Sequence, residues 1–252
     1  SSDAPHCQAR VVKAPSCRLA RLRTPIWLPT EPVFPPVSLA NRDGLLAVGG
    51  DLSLERLLIA YASGIFPWPS EGMPLLWFAP HQRAVIRPDS LHVGRSLRKV
   101  VVRGPYQVKI DTVFPQVIAA CSKIPRRHES GTWILPDMIE AYIALHEAGF
   151  AHSVETFLDG ELVGGLYGVS LGGMFFGESM FAKTDDASKV AMVRLCEQLA
   201  AWGFDLVDGQ VMNAHLERLG FALIPRSDYM ATLMRSLETP TRRGKWSMES
   251  MT

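Results

Sequence analysis

The sequence predicts an α+β protein, with a small loop-rich N-terminal domain at 25–81 and a larger domain at 82–252. Three observations carry this expectation. Prolines crowd the stretch from Pro25 to Pro80 and leave little room for long regular elements. Between His152 and Phe181, apolar runs are separated by Asp159-Gly160 and Gly172-Gly173, as in an antiparallel meander. Runs of helical period lie on both sides of that meander. With 252 residues and 47% hydrophobic content, the chain can bury a sizeable core.

Residues 1–24 are rich in Arg and nearly free of acids, and they read as a disordered extension, a mis-assigned start or an appended scar, with a transit peptide as the lesser alternative. Within the proline-rich stretch a single helix is expected from Leu54 to Ser63, opened by Asp51 or Ser53 and closed by Gly64. Tyr61, Phe66, Trp68, Trp77 and Phe78 supply an apolar wall or a small core. Ala84–Ile86 and Gln107–Ile110 are strand candidates. Between them, Asp89-Ser90 signals a helix start, and a helix there would set Arg95, Arg98 and Lys99 on one face. A helix from Asp111 or Thr112 to Ser122 follows, then another with Pro136 in its first turn and Gly149 as its stop. After the meander, Asp185-Asp186 opens a helix that Gly203 ends. A strand from Phe204 to Val211 and a short helix over 213–221 finish the pattern.

Composition narrows the function. Four cysteines without a CxxC pair indicate neither a disulfide framework nor a zinc site, which fits a reducing cytoplasm. No apolar run reaches the roughly 20 residues of a membrane helix. Net charge is +1, yet residues 83–109 carry +6, and this asymmetry suggests a surface facing a polyanion. The row Arg95, Arg98 and Lys99 is also what an ordinary solvated helix face looks like.

Acidic and amide groups inside apolar runs point to chemistry. Glu178 lies within Met174–Phe181, while Asp208 and Gln210 end the run that begins at Leu206. An isolated charge in such a setting is costly and needs a partner or a task. Asp208 and Gln210 are two apart on one strand, so both side chains are expected on the same face. An Asp bonded to neighbouring backbone is the structural alternative.

The order of strands and helices, ending in a strand with polar residues and then Leu219-Gly220-Phe221, resembles the GCN5-related N-acetyltransferase fold. Members using acyl-coenzyme A carry a glycine-rich turn after the fourth strand, where backbone N–H groups hold the pyrophosphate. Here the turn reads Ala182-Lys183-Thr184-Asp185-Asp186-Ala187-Ser188, with no glycine and two carboxylates at the helix start. The expected acyl donor is therefore not coenzyme A.

The motifs resemble one family, from about residue 26 to 236. Gly44–Leu52, Gly64-Ile65-Phe66-Pro67-Trp68, Trp77-Phe78-Ala79-Pro80, Gly131-Thr132-Trp133-Ile134, Gly177-Glu178-Ser179-Met180-Phe181 and Asp208-Gly209-Gln210-Val211 are similar to the leucyl/phenylalanyl-tRNA–protein transferases. The resemblance implies transfer of Leu or Phe, and less readily Met, from aminoacyl-tRNA to the N-terminal Arg or Lys of proteins, marking them for degradation in the N-degron pathway. It implies no cofactor, because the tRNA ester is already activated, and the expected enzyme is a cytoplasmic monomer.

Residue roles come from the same resemblance. Asp208 would hold the incoming amine and polarise Gln210, which acts at the reacting centre. Glu178 would be the partner of the basic N-terminal residue or of the aminoacyl end. Phe175 and Leu166 would build the aminoacyl pocket; Phe175 and Glu178 point to opposite faces of an ideal strand and can share one site only if a β-bulge intervenes, expected at Gly177. Trp68, Trp133 and, as a lesser candidate, Tyr61 would stack around the terminal adenosine. Arg95, Arg98 and Lys99 would contact tRNA phosphates. Two rival readings are an N-acetyltransferase on acyl-coenzyme A, opposed by the turn at 183–188, and a non-catalytic RNA-binding protein, opposed by Asp208, Gln210 and Glu178.

Overall fold

The computed structural model describes residues 26–70, 72–123 and 134–248. The expectations for residues 1–24 and Trp133 lie outside them.

The fold is α+β. Leu45–Val48 (β1), Phe66–Pro67 (β2) and Leu76–Phe78 (β3) make a three-stranded sheet in the order β1-β3-β2. Their shortness follows from the prolines around them. Between β1 and β2 lies helix α1 (Leu54–Ala62), capped by the Ser53 hydroxyl, which accepts from the Arg56 N–H.

The large sheet holds seven strands in the order β10-β4-β9-β8-β7-β6-β5. They are Gln82–Ile86 (β4), Gln107–Ile110 (β5), Ala151–Leu158 (β6), Glu161–Leu171 (β7), Met174–Ala182 (β8), Leu206–Gln210 (β9) and Ala222–Pro225 (β10). The expected meander is β6-β7-β8. Asp159 and Gly160 both take positive φ, 50° and 83°, as a two-residue hairpin loop with right-handed twist requires.

Five helices decorate the sheet among the described residues: Arg95–Arg103 (α2), Phe114–Ser122 (α3), Pro136–Glu147 (α4), Ala187–Ala201 (α5) and Arg226–Ser236 (α7), with the short Ala214–Arg218 (α6) beside them. Helices α3 and α4 pack against one face of the sheet and α5 against the other. Alternation along each strand feeds both layers: Phe176 and Tyr167 join the core under α3 and α4, while their neighbours Phe175 and Leu166 join the core under α5. The first of these cores continues into the small sheet through Tyr61, Phe66 and Trp77.

The structure corrects three expectations. The chain does not finish at the short helix: β10 and α7 follow it, and β10 forms an edge of the large sheet. Asp89 does not cap α2, which begins six residues later after Gly94; Asp89 instead pairs with Arg87 at 3.1 Å. Asp111 does not open α3 either, because it sits buried at φ 54° and accepts hydrogen bonds from His152 and Ser153.

Candidate active site

Strands β8 and β9 run parallel, but they pair only from Met174 to Phe176 against Leu206 to Asp208. Beyond that point each is bulged. In β8, Gly168 faces Gly177 and Tyr167 faces Ser179, which leaves Glu178 as the extra residue. The bulge expected at Gly177 is therefore present, and it turns Glu178 to the same cleft as Phe175. A side chain on the facing Gly168 would stand 2.2 Å from the Phe176 carbonyl oxygen, so only glycine fits opposite the bulge.

In β9, Ala84 faces Gln210 and Val85 faces Asp208, so Gly209 is the extra residue, and Gln210 takes φ 61°. This second bulge overturns the expectation that Asp208 and Gln210 share a face. Asp208 turns inward and is fully buried. Its carboxylate accepts from Arg83 Nε at 3.0 Å and Nη2 at 2.8 Å, from the Tyr229 hydroxyl at 2.7 Å and from the Gln210 backbone N–H at 2.7 Å. Those donors occupy the carboxylate, so it is not open to receive an amine. Asp208 reaches Gln210 through the backbone and fixes the bulge. Arg83 is itself 2% exposed, lies between the Phe66 and Tyr229 rings, and also donates to the Gly64 carbonyl. Burial works against its charge, yet Asp208 outweighs that cost and raises its pKa. Arg83 is thus no part of a polyanion-facing surface.

The Gln210 side chain points the other way, and its Nε2 donates to Glu178 Oε1 at 2.7 Å. Tyr61 donates to the same oxygen at 2.6 Å, and Tyr142 to Oε2 at 3.2 Å. The Tyr61 and Tyr142 hydroxyls also bond to each other. Burial pushes the Glu178 carboxyl up to about 7, against these donors, which favour its charged form. The result is a carboxyl poised to take or give a proton near neutral pH. Neither Tyr142 nor Tyr229 is among the site residues expected from the sequence, yet they hydrogen-bond to Glu178 and Asp208. The clue to Arg83 was present: a guanidinium beside Ala84-Val85-Ile86 in a strand needs an internal partner.

The parted strands open a cleft of about 600 Å³. Leu166, Phe175, Met192, Val207 and Phe221 give it apolar walls, Glu178 and Gln210 lie along it, and half-buried Trp68 stands on its lining. A slot with such walls suits an apolar side chain. Tyr61 is different: it is fully buried, with its ring against Phe176, so it offers no free face to a base. Arg95, Arg98 and Lys99 are exposed on α2, whose Leu97 packs against Val190 and Val193 of α5. Arg242 and Arg243 lie over the Trp202 and Phe150 rings. At the start of α5, Asp186 binds Lys189 at 2.6 Å, so carboxylate occupies the helix end. Among the described residues, no three His, Cys, Asp or Glu side chains gather as a metal-holding group. No helix there is long and apolar enough to cross a membrane.

Comparison with known proteins gives consistent results. Sequence models described as leucyl/phenylalanyl-tRNA protein transferase and its N-terminal domain match residues 85–234 and 50–81. The transferase of Myxococcus xanthus (strain DK1622) is 57% identical over 226 residues, spanning 88% of this chain and 97% of that relative. That of Anaeromyxobacter sp. (strain Fw109-5) is 54% identical over 223 residues, spanning 88% and 95%. Among solved structures, a GCN5-related N-acetyltransferase from Kribbella flavida overlaps with a TM-score of 0.37 at 10% identity, over 67% of this chain and 59% of that one. Overlap this loose carries no argument about chemistry. The two family matches and the near full-length identities do: this chain belongs to the leucyl/phenylalanyl-tRNA–protein transferases, a family of aminoacyltransferases.

Proposed function

We propose that this protein transfers Leu or Phe, and less readily Met, from aminoacyl-tRNA to the N-terminal Arg or Lys of a protein, in the cytoplasm and as a monomer, marking the acceptor for degradation. The observation that carries the reading is the apolar cleft whose walls include Leu166 and Phe175 and along which the Glu178 and Gln210 side chains meet. The acyl side chain enters the slot, and the ester carbonyl lies beside Gln210. The acceptor α-amine attacks the carbonyl carbon; the C–N bond forms, the ester C–O bond breaks, and the tRNA terminal oxygen leaves as a hydroxyl. Glu178 accepts the amine proton and returns it to that oxygen. The α-amine has a reference pKa of roughly 7.7–8.0, so a weak base suffices. Most of the acceleration comes from holding amine and carbonyl together.

Asp208 acts as a positioning residue, holding Gln210 through its backbone N–H. Trp68 stacks on the terminal adenosine, a contact worth roughly 1–3 kcal/mol, and Trp133 supplies a second face. Arg95, Arg98 and Lys99 hold phosphates of the tRNA, whose sequence need not be read. The unit boundary is placed at 81/82, between β3 and β4.

The test is incubation with tRNA charged with labelled Leu and peptides that begin with Arg, Lys or Ala. Label is expected on the Arg and Lys peptides alone. Label on none of them ends the reading, and equal label on the Ala peptide ends its acceptor specificity.

A further inference from the structure

We infer that the C-terminal tail, through Trp246, sets the depth of the aminoacyl slot and hence its preference between Leu and Phe. The inference rests on the transferase reading. Trp246 lies beyond the stretch 85–234 that the family match covers, yet it is only 3% exposed and belongs to the core of Leu166, Phe175 and Val207. Its ring lies 6.1 Å from that of Phe175, inclined at 40°. Phe175 lines the cleft, whereas Trp246 is not among the lining residues, so it backs Phe175 from behind.

The tail is fixed where it makes this contact. Trp246 stacks on His152 at 3.6 Å and 7°, and meets Trp202 edge-on at 4.9 Å. Its backbone N–H donates to Asp111 Oδ2 at 2.7 Å, and its indole N–H donates to the Arg242 carbonyl at 2.9 Å. Asp111 Oδ2 also accepts from His152 Nδ1 at 2.8 Å. One buried carboxylate therefore holds both the indole-bearing backbone and the imidazole beneath it. Close-packed interiors transmit a loss of volume to their neighbours. With less bulk at 246 the Phe175 ring can settle back, and the slot gains length that a Phe side chain uses and a Leu side chain leaves empty. Trp246 is thus a positioning residue; it touches neither substrate nor reacting atoms.

The experiment compares kcat/KM for Phe-tRNA and Leu-tRNA, with an Arg-initiated peptide as acceptor, in wild type, Trp246→Leu and Trp246→Phe. The Phe-to-Leu ratio is expected to rise about tenfold in Trp246→Leu, the scale of one methylene in a pocket. Trp246→Phe should shift it the same way by a smaller factor, because an aromatic ring still backs Phe175. A tail that merely stabilises the fold would lower both rates together, so an unchanged ratio overturns the inference. Where Trp246→Leu does not fold, Trp246→Phe decides by the same criterion. Wild-type protein that transfers neither amino acid would instead sink the transferase reading, a result distinct from an unchanged ratio.

Discussion

Burial pushes the Glu178 carboxyl up to about 7 even though Tyr61, Gln210 and Tyr142 all hydrogen-bond to it and favour its ionised form. Desolvation therefore wins over three donors, and the group changes charge in the range where an α-amine begins to lose its proton. The transfer rate should climb as pH rises through about 7. Glu178→Gln keeps the shape and removes the titration, so kcat should fall by about 10²–10⁴ with tRNA binding retained. A variant with wild-type turnover would remove Glu178 from the proton path. Stability should move the opposite way. The folded pKa is raised, so the folded protein binds more protons than the unfolded chain between about 4.5 and 7. That contribution is present below this window and lost as pH rises through it. Melting temperatures of the two proteins at pH 5 and pH 8 check the sign: the variant should gain on wild type at the higher pH. The gain is on the order of 1 kcal/mol, since Glu178 is partly exposed and water screens part of the cost.

At the level of elements, charge and packing divide the surface of α2. Leu97 turns toward α5, which leaves Arg95, Arg98 and Lys99 in solvent with no acid in the first turn to offset them. Replacing all three with Ala should weaken tRNA binding and reduce the salt slope by about 2–3 released counterions. An unchanged slope in a binding titration across salt concentrations would show that the tRNA docks elsewhere. Helix α2 was legible because its amphipathic row is local, and so was the meander, whose turns are written in Asp159-Gly160 and Gly172-Gly173. The bulge at Gly177 could be argued too, since Phe175 and Glu178 cannot otherwise share a cleft. The bulge at Gly209 could not. A spacing of two reads as one face unless the register against Ala84 and Val85 is known, and that pairing joins strands more than a hundred residues apart. Strand β10 and helix α7 were missed for a related reason: Ala222–Pro225 is four residues ending in Pro, with no alternation to announce an edge strand. The cost fell on the site, because Tyr229 of α7 is one of the donors to Asp208.

Across the whole molecule the Arg83–Asp208 pair joins elements that sequence separates widely. Arg83 comes from β4, Asp208 from β9 and Tyr229 from α7, and Arg83 also reaches the Gly64 carbonyl after α1. A buried pair of this kind contributes little over a well-packed apolar substitute, but removing one member strands the other charge at a cost of about 3–5 kcal/mol. Asp208→Ala should therefore lose stability as well as transfer, unlike Glu178→Gln, which should lose transfer alone. The double variant Arg83→Met with Asp208→Leu distinguishes the two roles. It leaves no buried charge unpaired, so its melting temperature should recover most of what Asp208→Ala loses, less the bonds to Gly64, the Tyr229 hydroxyl and the Gln210 N–H. Its activity should stay low, because the Gln210 N–H has lost the carboxylate that shapes the bulge and aims the amide at Glu178. Stability regained without transfer would show that Asp208 serves the chemistry by holding Gln210 in place. Asp208→Ala with the wild-type melting temperature would contradict that role, since a stranded guanidinium in this core could not be silent.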